Sequence, residues 1–282
     1  MATAVLLLTC ADRPGIVAAV AEFVLRHGGN IVHAEQHTDR GAGVFFQRVE
    51  FELDGFGLAR EEIEAAFAPI AERFSMQSQL MFSDARPRLA LFVSKHGHCL
   101  YDLLARWRMR ELPVDVAMVI SNHLDHQPAA ASFSVPFHHL AVGARHPKVE
   151  LQALELMEEA GVGLAVLARY MQILSGVFVD RLPHRIINIH HSFLPAFVGA
   201  HPYRQAADRG VKLIGATAHY VTSVLDEGPI IDQDVVRVSH RDDVERLAQK
   251  GRDLEAIVLA RAVRAHVEGR VLVYGNRTVV FS

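Results

Sequence analysis

This chain has few cysteines, little net charge and no long apolar run. It has two cysteines, Cys10 and Cys99, among 282 residues, too few for a disulfide framework, and this indicates a reducing compartment. A formal net charge of −3 gives no basic face for nucleic acid. No apolar run approaches the roughly 20 residues of a membrane helix, and the apolar start lacks the basic leader of a secretory signal. We therefore expect a cytoplasmic protein that binds neither nucleic acid nor membranes.

Hydrophobic residues, by contrast, make up 50% of the chain, which is enough for a sizeable core, and the length favours two domains. The first pattern covers residues 1–84 and predicts the order strand, helix, strand, strand, helix, strand. A turn at Asp12–Gly15 precedes a helix that ends at Gly28-Gly29, and Gly41–Gly43 indicates a hairpin. This order predicts a ferredoxin-like βαββαβ domain.

A short polar segment that contains Pro87 separates this pattern from a second one. Residues 85–282 alternate nearly continuous apolar strands with helices, which indicates an open, mostly parallel sheet of the Rossmann-like type. A long amphipathic helix and a terminal hairpin complete this pattern. Ligands of such sheets bind beyond the carboxyl ends of the strands, and one predicted strand ends at Ile189, directly before His190.

Three polar residues form the candidate catalytic set. Asn188 and His190 lie two positions apart, so their side chains share one face of an extended strand. Asp226 follows far enough along the chain to return on a separate loop. An amide can donate to a carbonyl oxygen, and an imidazole can accept and return a proton near neutral pH. A carboxylate can orient the imidazole, favour its protonated form or hold the water, and the sequence leaves the division of acid and base roles between His190 and Asp226 open. The set favours acyl-group chemistry; the alternative is that Asn188 and His190 only cap a strand and Asp226 only turns a loop.

Motifs in both parts of the chain are similar to known families. The segments that resemble the folate-dependent formyltransferase fold are Asn188–His190, Ser192–Pro195 and Leu225–Pro229. The segments Asp12–Val17 and Gly28–Val32 resemble an ACT domain. The fusion of these two domains, together with Ser94–Leu104, is similar to the formyltetrahydrofolate deformylase family.

This resemblance implies hydrolysis of 10-formyltetrahydrofolate to formate and tetrahydrofolate, within one-carbon metabolism and with formate supplied to purine synthesis. It implies catalytic roles for Asn188, His190 and Asp226, and no required cofactor. It also implies a folate pocket that recognises the pterin largely through backbone groups. The residues expected in that pocket are Met171, Gln172, Leu174, Val221 and Leu225. The alternative for Met171 and Leu174 is a place in the core.

The loop after the first strand of the second domain bears on the choice between hydrolase and transferase. A transferase that formylates a phosphorylated amine needs a phosphate cradle, often a Gly-rich loop at a helix N-terminus. Here Ser94, Lys95 and His96 precede a single glycine, and their bulkier side chains would fill the acceptor space and leave room for water. We assign these three residues to the acceptor side, although Lys95 could instead bind an anion or form an exposed salt bridge. For His191, next to His190, we predict a supporting hydrogen bond; the alternative is a direct catalytic role.

Histidine is abundant, with 17 residues, and three groups of histidines raise the question of a metal. They are His96 with His98, His123 with His126, and His138 with His139. None of the spacings matches a standard zinc-ligand set with a third partner, so we predict no required metal.

The first domain carries a candidate regulatory site. Asp12, Gly15 and Asn30 occupy turns at which ACT domains often bind an amino acid, and glycine or methionine is the expectation at the level of the family. Such domains usually pair, so we expect a homo-oligomer, either a dimer or a tetramer. The alternative is a dimerisation module without a ligand.

Two other functions stay open on the sequence alone. One is a formyltransferase with a non-phosphorylated acceptor. The other is an amino-acid sensor with an inactive second domain, which the intact set of Asn188, His190 and Asp226 disfavours.

Overall fold

The computed structural model describes residues 2–141, 146–196 and 202–282. The chain divides into two compact units. The first contains the residues up to Ala85 together with Glu268–Tyr274 and Thr278–Ser282, and the second contains Arg86–Val267 with Gly275–Arg277. This division differs from the predicted ranges 1–84 and 85–282 at the C-terminus, where the last residues fold with the first unit.

The first unit has the predicted βαββαβ order. Its elements are β1 (Thr3–Ala11), α1 (Ile16–Arg26), β2 (Ile31–Asp39), β3 (Val44–Glu52), α2 (Arg60–Phe74) and β4 (Gln77–Phe82). The strands form an antiparallel sheet in the order β2-β3-β1-β4. In α1, the residues at helical spacing, Ile16, Val20, Phe23 and Val24, are all buried against this sheet's core. The ferredoxin-like prediction is therefore confirmed.

Strand β1 explains why the C-terminal hairpin belongs to this unit. Six of its nine residues are buried, so both faces of the strand need cover. The helices cover one face. On the other face, Val5, Leu7 and Phe46 pack against Leu272 and Phe281 in one apolar cluster. The hairpin strands are β12 (Val271–Tyr274) and β13 (Arg277–Val280).

Polar contacts fix the same hairpin at its edges. Arg48 Nε donates to the carbonyl oxygen of Gly269 at 3.1 Å, and Tyr274 OH donates to Asp39 Oδ2 at 2.9 Å. At the end of the chain, the backbone N–H of Ser282 donates to Glu35 Oε2 at 3.0 Å. The segment is therefore an integral part of the first unit.

The second unit is built on a seven-stranded sheet in the order β11-β10-β9-β8-β5-β6-β7. Its strands are β5 (Arg88–Val93), β6 (Asp115–Ser121), β7 (Phe137–His139), β8 (Leu164–Leu167), β9 (Ile186–His190), β10 (Leu213–Tyr220) and β11 (Ile230–Arg237). Its helices are α3 (His98–Arg108), α4 (Gln127–Ser132), α5 (His146–Glu159), α6 (Gly176–Arg181), α7 (Pro202–Asp208) and α8 (Val244–Val267). Strands β5 to β9 pair in parallel, and β10 pairs antiparallel with both β9 and β11, as the prediction of a mostly parallel sheet requires.

The parallel strands bring three chain segments to one edge of the sheet. Strands β5, β8 and β9 are neighbours, and their carboxyl ends, at Val93, Leu167 and His190, point in the same direction. The loops that follow them therefore meet, as is usual for ligand sites in open parallel sheets. Within the described ranges, the structure contains no helix with the length and apolar character needed to cross a membrane.

Candidate active site

The loops at this sheet edge enclose a cavity of about 700 Å³. Asn188 and His190 reach it from β9, where their spacing of two places both side chains on one face of the strand. Asp226 reaches it from the loop between β10 and β11. The structure thus brings the three candidate catalytic residues to one cavity.

His190 and Asp226 are in direct contact. His190 Nδ1 lies 3.2 Å from Asp226 Oδ1, and both side chains are at most 10% exposed. The hydrogen bond from His190 lowers the pKa of Asp226, against the opposing effect of burial, so the carboxylate is ionised at neutral pH. The other ring nitrogen, His190 Nε2, is buried and has no hydrogen-bond partner in the described part of the chain. His190 therefore has one nitrogen held by the carboxylate and one available to a ligand.

A close backbone approach shapes the loop that carries Asp226. This residue has a φ of 58°, in the left-handed region. Two positions later, an added Cβ on Gly228 would lie 1.7 Å from the carbonyl oxygen of Tyr220. Only glycine fits there, and the loop can therefore pass directly against β10 and bring Asp226 to His190.

His219 is a residue of the site that the sequence analysis did not single out. Its Nδ1 lies 2.9 Å from the carbonyl oxygen of Tyr220, which only accepts, so the proton is on Nδ1. Burial lowers the pKa of His219, so the ring is neutral. Its Nε2 then accepts a hydrogen bond, and Asn188 Nδ2 donates to it at 3.2 Å. This contact fixes which way the Asn188 amide faces.

The pairing of two strands creates that contact. In the antiparallel ladder between β9 and β10, His219 stands opposite Asn188. The strand register was needed to connect this histidine with the amide.

The residues predicted for the folate pocket all line the same cavity. They are Met171, Gln172, Leu174, Val221 and Leu225. Met171 and Leu225 are more than half exposed, although large apolar side chains are usually buried in a core. Their exposure to the cavity provides an apolar wall for a flat ring.

The predicted acceptor-side residues Ser94, Lys95 and His96 line the cavity as well, and so does His191. The Ser94 hydroxyl is already engaged, because it donates to Asn122 Oδ1 at 2.7 Å and accepts from the backbone N–H of Met171 at 2.9 Å. Ser94 thereby connects two of the loops that form the site.

The two histidines on this side are held in a neutral form. Burial, and then the positive charge of Arg169, lower the pKa of His96 and lower that of His191 to about 4. The His191 ring lies between those of His190 and Tyr203, with centroid distances of 5.2 and 6.1 Å. It contacts His190 as an uncharged ring.

A buried charged cluster, formed by Glu255, His98, Arg169 and Tyr203, completes the cavity wall. Glu255 is 0% exposed. Its Oε2 lies 2.8 Å from His98 Nε2 and 3.4 Å from Arg169 Nε, and its Oε1 accepts from Tyr203 OH. Burial alone would raise the pKa of Glu255, but the hydrogen bond from His98 and the charge of Arg169 outweigh it and lower the pKa. The carboxylate is therefore ionised in the interior.

One feature of the sequence indicates this charged cluster. In α8, Glu255 stands directly after Leu254 and three positions before Val258, on the face that the helix buries. A carboxylate on such a face needs a partner. His98, Cys99 and Glu255 also place potential metal-ligand atoms within 4.8 Å of one another. A guanidinium beside the same carboxylate opposes a cation there, and the prediction of no required metal stays a prediction.

The candidate regulatory residues lie at two ends of one helix. Gly15 caps the N-terminus of α1 with a φ of 93°, and the backbone N–H of Asp12 donates to Gly43. Asn30 follows the C-terminus of the 11-residue helix, where its Nδ2 donates to Glu52 Oε2 at 3.0 Å. A helix of that length spans roughly 16 Å. Within one chain, Asp12 and Asn30 therefore do not form a common site.

Comparison with known proteins agrees with this architecture. A family model described as "Formyl transferase" matches residues 87–263, and one described as "ACT domain" matches residues 4–68. The chain thus consists of an ACT domain followed by a formyltransferase domain.

Relatives of similar length identify the family to which the chain belongs. The chain is 55% identical to a formyltetrahydrofolate deformylase from Synechocystis sp. over 99% of both chains, and 50% identical to one from Bacillus subtilis over 98% of this chain and 93% of the relative. The chain belongs to the formyltetrahydrofolate deformylase family.

The comparison with solved structures agrees with membership of this family. The crystal structure of a formyltetrahydrofolate deformylase from Pseudomonas syringae pv. tomato has a TM-score of 0.97 and 49% identity, covering 100% of this chain and 95% of that one. A glycinamide ribonucleotide transformylase 1 from Symbiobacterium toebii has a TM-score of 0.68 and 34% identity, covering 72% of this chain and 98% of that one.

Proposed function

We propose that this protein hydrolyses 10-formyltetrahydrofolate to formate and tetrahydrofolate. The observation that carries the proposal is the pair of His190 and Asp226, 3.2 Å apart in a cavity that also contains Asn188. Membership of the deformylase family supports the substrate and the reaction. The product formate would serve purine synthesis.

In the proposed reaction, water attacks the formyl carbon. His190 Nε2 accepts the water proton as the new C–O bond forms, and Asp226 stabilises the resulting imidazolium through Nδ1. The Asn188 amide donates to the formyl oxygen as that oxygen gains negative charge; one such donor is typically worth about 3–4 kcal/mol. When the C–N bond breaks, His190 returns the proton to the departing nitrogen, and formate and tetrahydrofolate result.

The apolar wall supports the folate part of the substrate. Met171 and Leu225 present apolar surface to the cavity, and we expect backbone groups around Gln172 to bind the edge of a flat ring. Every group that this reaction needs is supplied by side chains. We therefore expect hydrolysis to continue in the presence of a metal chelator.

The test is hydrolysis without an acceptor. The protein is incubated with 10-formyltetrahydrofolate alone, and formate and tetrahydrofolate are measured. We expect equal amounts of both, and a loss of roughly 100-fold or more in kcat for His190→Ala. The matched control is His240→Ala, an exposed histidine outside the cavity, which should retain full activity.

Other outcomes separate the alternatives. Turnover that begins only when an amine is added would favour the formyltransferase, and amino-acid binding without any folate turnover would favour the sensor. No formate above the His190→Ala background would end the proposal.

The ACT unit supports a regulatory proposal. A second copy of the chain could place its Asn30 beside Asp12 and Gly15 of the first and so complete an amino-acid site in a homo-oligomer, a dimer or tetramer. Light scattering with glycine or methionine titration tests this, and a monomer without response to either would contradict it. The expected cytoplasmic location stays a prediction.

A further inference from the structure

Arg169 adopts a backbone conformation that an arginine rarely takes. Its φ is 67°, in the left-handed region that glycine occupies without steric cost. Six described residues other than glycine have a positive φ, and only two of them, Asp226 and Arg169, line the cavity. Strained residues cluster at functional sites because the surrounding structure must hold them there. Asp226 has a role in the proposed reaction, whereas Arg169 takes no part in the steps of that reaction.

Contacts on both sides hold Arg169 in this conformation. Its carbonyl oxygen accepts from the backbone N–H of Ser94 at 3.1 Å. Its side chain is 10% exposed, and Nε lies 3.4 Å from Glu255 Oε2. Nε makes no hydrogen bond within the described residues, so the contact is an ion pair inside the protein.

Glu255 in turn is held by two further residues. His98 at the start of α3 and Tyr203 on α7 each bond one of its oxygens. Both carboxylate oxygens thus have partners inside the protein. The cluster is a rigid wall of the cavity, built from four separate segments of the chain.

This wall stands next to the reacting groups. The positive charge of Arg169 contributes to the low pKa of His191, and the His191 ring contacts both His190 and Tyr203. Fixed side chains therefore line the cavity on this side of His190. A water molecule fits into a small space, whereas an amine nucleophile carries substituents that require additional space.

We propose that Arg169, fixed by Glu255, is the residue that limits the formyl acceptor to water. The inference rests on the proposed hydrolysis and moves the determinant from the loop 94–98 to the residue behind it. With water, the C–N bond is replaced by a C–O bond and formate leaves. With an amine, a new C–N bond forms, the amine proton passes to the departing folate nitrogen, and a formamide results.

The test replaces Arg169 by a residue that tolerates its backbone conformation. Glycine adopts a φ of 67° freely, so Arg169→Gly relieves strain while it opens the wall. The full-length variant is incubated with 10-formyltetrahydrofolate and increasing glycinamide, and tetrahydrofolate, formate and N-formylglycinamide are measured. We expect the variant to yield roughly tenfold or more formamide per tetrahydrofolate than the wild type, with formate reduced to match.

Two control variants distinguish the effect of relieving backbone strain from the effect of removing the Arg169 side chain. Arg110 has a φ of 62°, is exposed and lies outside the cavity, so Arg110→Gly relieves the same kind of strain and should yield only formate. Arg169→Ala removes the side chain and keeps the strain, and it should yield formamide as the glycine variant does.

The outcomes also distinguish this inference from the proposed function. A wild type that releases no formate contradicts the hydrolysis itself. A wild type that releases formate, with a folded Arg169→Gly variant that yields formate alone, overturns the role of Arg169. A folded variant that neither hydrolyses nor transfers overturns it too, because Arg169 would then serve hydrolysis directly. Should the glycine variant not fold, Glu255→Gln releases Arg169 without changing volume, and unchanged products there would overturn the inference.

Discussion

At the scale of single residues, the site consists of pairs in which one side chain determines the state of another. Asp226 holds His190, and His219 holds Asn188. The sequence predicted that Asn188, His190 and Asp226 converge, because two of them share a strand face and the third follows a later strand. It did not predict His219, because that pair depends on which residues of β9 and β10 stand opposite each other.

Replacement of Asp226 tests the first pair. Asp226→Asn keeps the size of the side chain but removes the charge that stabilises the imidazolium, so we expect kcat to fall roughly 100-fold or more with little change in KM. The neighbouring exposed Glu227 provides the matched control, and Glu227→Gln should retain wild-type kcat. An equal fall in both variants would argue against a specific role of Asp226.

A double-mutant cycle tests the second pair. His219→Phe removes the acceptor for Asn188 Nδ2, so the amide is free to turn, and we expect kcat to fall roughly tenfold. Asn188→Ala should abolish the need for that contact. The double variant should then be little worse than Asn188→Ala alone, and fully additive losses would contradict a role of His219 through Asn188.

At the scale of elements, local patterns predicted most helices and strands but not their partners. The apolar spacing in α1 was sufficient because its contacts follow from one helix face. The terminal hairpin was predicted as an element, but its place beside β1 joins residues more than 250 positions apart, and no local pattern specifies that. The continuous apolar run Val5–Leu8 was the available indication that both faces of β1 are covered.

The hairpin should contribute strongly to stability. Phe281 is 1% exposed in the cluster with Val5 and Phe46, so Phe281→Ala should lower the free energy of unfolding by about 3–5 kcal/mol. Val280 is adjacent and 43% exposed, and Val280→Ala serves as the control with an expected change within about 0.5 kcal/mol. Denaturant unfolding measures both, and similar small losses would show that the hairpin packs only loosely.

At the scale of the whole molecule, partly buried histidines connect stability with pH. Burial lowers the pKa of His266 to about 4, against 6.5 for the free side chain. Between these values the unfolded chain binds a proton that the folded chain does not, so the free energy of unfolding decreases as the pH falls from 6.5 to 4. His191 acts in the same direction and over the same range.

Removal of one titrating group should flatten this dependence. His266→Gln retains an acceptor for Tyr220 OH, which now bonds His266 Nδ1 at 2.7 Å, but cannot be protonated in this range. We expect its Tm to decrease less between pH 6.5 and 4 than the wild-type Tm does. His240→Gln, at an exposed position, should follow the wild type, and parallel curves for all three proteins would refute the assignment.

The hairpin also has a consequence for biosynthesis. Because Leu272 and Phe281 cover β1, the amino-terminal unit stays incomplete on the ribosome until residue 281 has been translated, long after its own sheet has emerged. During that interval the apolar side of β1 has no cover of its own. A fragment cut at residue 85 for effector studies would keep this face bare, so such work should retain the tail, for example by fusing residues 268–282 behind a linker.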